Sequence, residues 1–522
     1  MISPTATHSA TQDPAALLAQ LAAEQQRIAL LEQENRWLKR QLFGRSSERT
    51  ATEERNPDQA RLFDEAEALA SHTAPEHVTI PAHQRKKRGR KKLDAALPRV
   101  EVVHDIPEEH KHCAADGAAL IRIGEEVSEQ LDYQPARMRV IRHIRPQYAC
   151  PCCRQGVHIA PMPEQLLPKS LATPSLLAHI VTAKFVDHLP LYRQERQFER
   201  LGVTLGRATM AGWMIRLGQA VQPLINLLGE QMLAAPLIHC DETQLQVLRS
   251  EKVSTDHWMW VRCAGPPRRR MVLFDYDPSR GRGVPKRLLT DYHGILLTDG
   301  YEAYAATAKA QGLTHAGCWA HARRKFEEAR KGQPDNTASH AKEALARIGA
   351  LYAIERPLWD RHRPITPEQR LQVRAELSAP LIAQLHQWLI TLAPQVLPQS
   401  PLGKAVHYTL GQWEKLTVFL THGEVPLDNN RCENAIRPFV IGRKGWLFSD
   451  TVPGAQASAN LFSLVETAKA NGIEPHAYLA RLFEQLPQAK TVEAFEALLP
   501  WNLIPAPAEQ SHQPVARNDG ED

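Results

Sequence analysis

With 522 residues the chain exceeds what one hydrophobic core usually organises, so three or four domains are expected. No apolar run approaches the ~20 residues that a membrane helix needs, which argues against a spanning protein. Formal net charge is only +5, and eight irregularly spaced cysteines without an apolar secretory segment point to the reducing cytoplasm.

Residues 1–44 hold one amphipathic helix. Its heptad sets Leu21, Ile28, Asn35 and Leu42 on one position, and Leu17, Glu24, Leu31 and Leu38 on the other. This suits a short coiled coil, with Asn35 trading stability for register, and predicts a homodimer or higher assembly. The alternative is a lone helix packing on its own protein.

Residues 45–98 read as a flexible linker ending in a basic tract: Arg85, Lys86, Lys87, Arg88, Arg90, Lys91 and Lys92. Such a tract neutralises phosphates, releases counterions and binds DNA in a salt-dependent way. Its Arg88-Gly-Arg90 centre resembles a minor-groove hook, though without flanking prolines. A merely solvated charged linker is the bland alternative.

Residues 99–165 carry a zinc-ribbon-like pattern. Cys150 and Cys153 have the C-x-x-C spacing that lets two thiolates share a structural Zn²⁺. The second pair would be Cys113 and Asp116, with His110 or His112 as substitutes, and Cys152 could displace a neighbouring cysteine as ligand. A zinc-free module held by packing is the other reading.

Residues 166–232 read as helices broken at Gly202–Gly206, resembling a helix-turn-helix whose second helix presents Arg207, Thr209 and Arg216. Helical hairpins that only pack against neighbours are commoner.

From 233 to 320 the texture changes to strands, expected at Leu237–Val247, His257–Cys263, Arg270–Tyr276, Ile295–Thr298 and near Thr314–Trp319, with helices at Val284–Leu289 and Tyr301–Ala310. Three antiparallel strands, then alternating helix and parallel strand, is the order of a ribonuclease-H-like core. That order sets the first strand beside the fourth. Asp241 and Asp299 each follow a mostly apolar run and precede polar or turn residues, so they would emerge as neighbours.

Residues 321–420 read as a helical insertion, and 421–465 return to the core with a helix starting near Asp428. On that helix Asn430, Glu433, Asn434 and Arg437 share one face, while Ile436, Phe439 and Val440 anchor the other; Arg443 and Lys444 extend the positive surface. Residues 466–502 form a C-terminal helical module, and 503–522 a disordered tail. The expected class is a multidomain α/β protein with large all-α parts.

Two strand-borne aspartates and a helical glutamate can converge on two divalent ions that clamp the attacking and leaving oxygens of a phosphodiester. Glu242, Asp256, Asp275, Asp291 and Glu302 read as solvated or capping groups, with Glu242 a possible decoy beside Asp241. His315, Cys318 and His321 have a metal-like spacing, but a strand-to-helix junction separates them. His321, Arg323, Arg324 and Lys325 are therefore read as DNA contacts, and Cys318 and Trp319 as packing.

The stretch Asp428-Asn-Asn-Arg-Cys-Glu-Asn-Ala-Ile-Arg-Pro-Phe-Val-Ile-Gly-Arg-Lys-Gly-Trp-Leu-Phe448 resembles the signature of the insertion-sequence-66 (IS66) family of transposases. So do His239-Cys-Asp-Glu-Thr243, Thr298-Asp-Gly-Tyr-Glu-Ala-Tyr304 and Gly317-Cys-Trp-Ala-His-Ala-Arg-Arg-Lys-Phe326, in the family's order. The resemblance implies a DDE-type enzyme using two Mg²⁺ or Mn²⁺ ions at Asp241, Asp299 and Glu433. It further implies inverted-repeat ends and target DNA as substrates, accessory proteins of the same element, and a nucleoid-associated location when DNA is bound. Relatives tend to carry a cysteine where this chain has Asp116. Two rivals stand beside it. One is a catalytically inactive DNA-binding regulator. The other, a paired-carboxylate glycosidase, is disfavoured by the basic tract and an aromatic content of only 6%.

Overall fold

The long apolar run ahead of Asp241 forms the centre of a sheet. The structure, a computed structural model, describes residues 27–28, 101, 138–149, 157–251, 255–331, 339–359 and 364–503. The chain divides into two units, residues 1–59 with 143–522 and residues 60–142, and the elements below belong to the first. The expected coiled coil apart from residues 27–28, the basic tract Arg85–Lys92, the zinc candidates Cys113, Asp116, Cys150 and Cys153, and tail residues 504–522 lie outside the described residues.

A small antiparallel hairpin, β1 (Gln147–Ala149) and β2 (Val157–Ile159), precedes four helices: α1 (Pro174–Phe185), α2 (Leu191–Arg200), α3 (Arg207–Ala220) and α4 (Gln222–Leu233). The sheet follows. Strands β3 (Leu237–Arg249), β4 (Asp256–Ala264) and β5 (Met271–Asp277) are antiparallel. After α5 (Gly283–Leu288), β6 (Ile295–Thr298) pairs parallel with β3; after α6 (Glu302–Gln311), β7 (Thr314–Gly317) pairs parallel with β6. The order across the sheet is β5-β4-β3-β6-β7. All four residues of β6 are buried, as a parallel strand covered on both faces requires.

The helices of the middle region are α7 (Trp319–Lys331), α8 (His340–Leu358), α9 (Pro367–Val373), α10 (Ala379–Leu392), α11 (Pro401–Gly411) and α12 (Trp413–Leu416). Several starts are written in the sequence as a hydroxyl followed by proline. Thr173, Thr366 and Ser400 accept a backbone N–H of the first turn, and the proline has no N–H to leave unsatisfied. These helices do not form a core of their own. Trp319, Phe326, Ile348, Leu385, Leu389 and Val406 share one cluster with Ile295, Leu297 and Ala316 of the sheet. Within it, a π-helical turn at Arg374–Ser378 carries Arg374, fully buried and paired with Glu355 at 2.7 Å through each of two nitrogens.

Then come α13 (Asn430–Trp446), β8 (Ser449–Thr451), α14 (Val452–Ala470), α15 (Pro475–Gln485), α16 (Val492–Ala497) and α17 (Pro500–Leu503). Strand β8 pairs parallel with the far end of β3, Val247 opposite Ser449. Helix α14 lies against β5, whose outer edge would otherwise expose unpaired backbone groups. Thr467 and Ser463 accept the N–H groups of Val272 and Phe274 at 3.0 and 2.8 Å, and Asn471 bonds both the N–H and the carbonyl of Arg270.

Expected element ends move by a residue or two. The run to Trp319 stops as a strand at Gly317, because Trp319 opens α7. The glutamate helix begins at Asn430, not Asp428. Leu503, assigned to the tail, closes α17.

A candidate carboxylate centre

Parallel register sets His239 opposite Leu297, so two residues further on Asp241 stands beside Asp299 where the two strands end their pairing. Both are half-buried. Each gives one oxygen to a nearby backbone N–H: Asp241 Oδ1 accepts from Glu242, and Asp299 Oδ1 from Tyr301, both at 2.9 Å.

Glu433 comes from the first turn of α13, and that turn is clamped from three sides. Asn429 accepts from the β3 residue His239 at 2.9 Å and donates to the Cys240 carbonyl at 2.8 Å. Arg431 donates to the carbonyls of Ala264 and Gly265, and the Cys432 thiol to that of Val261 on β4. At the start of α7, the preceding residue Cys318 accepts the Asn429 N–H on its Sγ at 3.2 Å, while the Trp319 N–H donates to the Leu427 carbonyl at 2.8 Å. Asn429 therefore anchors the helix instead of capping it. Glu433 is buried, with Oε1 3.6 Å from His321 Nδ1 and Oε2 3.9 Å from Arg324.

The charges of these groups act on one another. Burial, and then the negative charges of Glu242, Asp299 and Glu433, hold the Asp241 carboxyl well above the usual carboxylate range. A divalent cation among these oxygens would turn repulsion into attraction. The donors of the three residues are hard oxygens, which fits Mg²⁺ or Mn²⁺.

Glu242 corrects the expectation of a solvated group. It is 3% exposed, accepts from Arg280 at 2.7 Å and from the Tyr304 hydroxyl at 2.6 Å. Burial and Asp299 push its carboxyl up to about 7, against the opposing pull of Arg280 and Tyr304. Asp275 is likewise not merely solvated, since it forms an ion pair with Arg262 at 3.0 Å. The insertion also reaches the centre. Gly300 packs so closely on Tyr408 that a Cβ would lie 2.8 Å from the hydroxyl, and the charge of Asp299 acts on Lys415. Sequence reading missed Arg280, Tyr304, Tyr408 and Lys415. Tyr304, like Gly300, lies in a quoted motif, but nothing local marks Arg280, Tyr408 or Lys415.

The remaining candidates divide. His321 and Arg324 lie against Glu433, whereas Arg323 pairs with Glu327 at 3.1 Å and Lys325 sits over the Tyr408 ring. Arg443 is 3.5 Å from the Thr243 hydroxyl; Asn430 and Lys444 are exposed and Arg437 is half-buried. Arg207 and Arg216 are exposed on α3, away from the side that buries Met210, Trp213 and Leu217, and Arg216 donates to the Pro168 carbonyl. The expected separation of His315, Cys318 and His321 holds only for His315, which turns to Thr298 at 2.9 Å; ligand atoms of Cys318 and His321 lie within 4.8 Å of each other and of Glu433.

Fold and centre together define a mixed α/β protein, largely helical, with carboxylates gathered beside the central strands. Residues 169–457, more than half of the chain, match the model of the Transposase IS66 family, and residues 463–501 match the IS66 C-terminal element. Residues 110–154 match the zinc-finger binding domain of transposase IS66, and residues 30–102 a segment described as Transposase C of IS166 homeodomain. The uncharacterized protein y4jD of Sinorhizobium fredii (strain NBRC 101917 / NGR234) is 36% identical over 425 residues, 78% of this chain and 81% of the relative. The uncharacterized protein y4qI of the same strain is 33% identical over 512 residues, 95% of this chain and 93% of that one. The chain belongs to the IS66 family of transposases. Among the described residues, no helix is long and apolar enough to cross a membrane.

Proposed function

We propose that the chain cuts and joins DNA at the ends of a mobile element, with Asp241, Asp299 and Glu433 as the residues that hold two divalent ions. The observation that carries this reading is the adjacency of Asp241 and Asp299 across β3 and β6, with Glu433 bearing on Asp241 from the clamped start of α13. When bound, Mg²⁺ or Mn²⁺ supplies Lewis-acid polarisation of the phosphate and a more acidic attacking water. His321 and Arg324 flank the Glu433 carboxylate at 3.6 and 3.9 Å. Arg437, Arg443, Lys444 and Asn430, with Arg323 and Lys325, would contact backbone phosphates, which fix register without reading sequence.

In this reading the sheet is a ribonuclease-H-like core carrying the helical insertion 321–420, whose helices share the hydrophobic cluster of the sheet. The N-terminal helix would pair two copies. The basic tract, and Arg207 and Arg216 on α3, would add DNA contacts, and a structural zinc would sit at Cys113, Asp116, Cys150 and Cys153. Inverted-repeat ends are the substrate; hydrolysis frees a 3′-hydroxyl, which then attacks target DNA in the cytoplasm. Accessory proteins of the same element would assist.

Purified protein, Mg²⁺ and labelled inverted-repeat DNA test this. Wild type should nick at the element end, while Asp241→Asn, Asp299→Asn and Glu433→Gln bind the end without nicking it. No nicking by wild type, with end binding intact, would leave only the regulator reading.

A further inference from the structure

Beside the all-oxygen pair lies a cluster of different chemistry. Cys318 immediately precedes α7, His321 lies in its first turn, and Glu433 arrives from α13; one ligand atom from each falls within 4.8 Å of the others. The spacing of Cys318 and His321 puts both on one side of the helix start. Arg324 stands nearer Glu433 Oε2, whereas His321 Nδ1 is nearest Oε1, so the two oxygens face different partners.

We propose that Cys318, His321 and Glu433 bind one transition-metal ion of the zinc or cobalt class, sharing the glutamate with the neighbouring carboxylate centre. Thiolate, imidazole and a single carboxylate select borderline-soft cations, whereas magnesium prefers oxygen ligands. Three protein ligands with a fourth position left to water describe a site open to exchange. Coordination releases the Cys318 thiol proton to solvent. The Asn429 N–H that Cys318 already accepts is compatible with a metal-bound sulfur and would orient it. Glu433 cannot serve both ions fully, so zinc here opposes the Mg²⁺-dependent reaction. That consequence rests on the proposed function, whereas the binding itself does not.

The test uses the full chain, reduced, stripped with chelator and titrated with Co²⁺. Wild type should bind one ion more per chain than either Cys318→Ser or His321→Ala, and should show thiolate-to-cobalt charge-transfer absorption that Cys318→Ser reduces. Asp241→Asn should keep both signals. Equal stoichiometry and spectra in wild type and both variants, all folded by circular dichroism, would overturn the site. Should Cys318→Ser unfold, His321→Ala decides alone. Adding zinc to Mg²⁺ nicking reactions should suppress them reversibly, and bound zinc without suppression would overturn the sharing of Glu433. A wild type that never nicks defeats the catalytic reading while the cobalt titration still reports on the site.

Discussion

Asn429 lies 2.9 Å from Nδ1 of His239, and so joins the helix of Glu433 to the strand of Asp241. Burial, with Arg431 adding to it, pushes the imidazole down to about 3, so the neutral ring donates its Nδ1–H to the amide oxygen. Asn429→Ala removes the partner of a buried imidazole and of the Cys240 carbonyl, and each orphaned group costs about 1–3 kcal/mol. Glu433 would then lose the tie that joins its helix directly to the strand of Asp241. The expected phenotype is a raised Mg²⁺ requirement for nicking, with end binding by the folded variant nearly unchanged. Unaltered Mg²⁺ dependence would show that Asn429 contributes only stability.

The buried pair Glu355–Arg374 has a different character. Arg374 also donates to the carbonyls of Phe419, His422 and Val425, so one guanidinium ties α8 to the loop leading into α13. Removing one partner from such a pair leaves an uncompensated buried charge, typically about 3–5 kcal/mol. Glu355→Ala should therefore lower the urea midpoint sharply. The double change Glu355→Leu with Arg374→Met should recover part of that loss. Equal midpoints for Glu355→Ala and wild type would contradict the burial of the pair.

Helix α14 and its C-cap protect the edge of β5 with polar side chains four residues apart: Ser463, Thr467 and the capping Asn471. Thr467→Val keeps the shape and deletes the acceptor of the Val272 N–H. That change should cost about 1–3 kcal/mol. Amide exchange should speed at Val272 more than at Val261 inside the sheet. Uniform acceleration across the strands would mean that the hydroxyl holds no special place at this edge.

What the sequence reveals and what it hides follow from range. Strand β6 is legible to the residue, Ile295–Thr298, because an uninterrupted apolar run leading into Asp-Gly has few other solutions. The face of α13 is legible only in part: Asn430 and Asn434 are exposed, but Glu433, expected on their side, is buried with Ile436 three residues on and Val440 seven on. Glu242 is not. Alternation beside Asp241 suggests an outward group, and its partners Arg280 and Tyr304 lie 38 and 62 positions away. Strand β8 has three residues, too few for any periodicity. Helix α14 hides its role because the residues that cover β5 look like ordinary polar interruptions. How the helical insertion packs is hidden for a related reason: Phe326, inside the expected insertion, joins Trp319 in the core under β6 and β7, a contact that no local pattern announces.

Lys184, at the end of α1, places its Nζ 4.2 Å from the centre of the Trp446 ring, at the far end of the glutamate helix. Burial lowers its ammonium from 10.5 to about 8. Between those values the unfolded chain holds a proton that the folded one has released, so this group makes stability rise with pH from about 8 to 10.5. Below about 8 both states are protonated and the penalty for burying the charge is constant. Lys184→Met removes that penalty, against a cation–π contribution of about 0.5–2 kcal/mol that is also lost. The variant should melt higher than wild type at pH 7, and the gap should narrow as pH climbs through the window. Urea melts of both proteins at pH 7, 9 and 10 read this directly, and a gap that widens with pH would refute the burial of the charge.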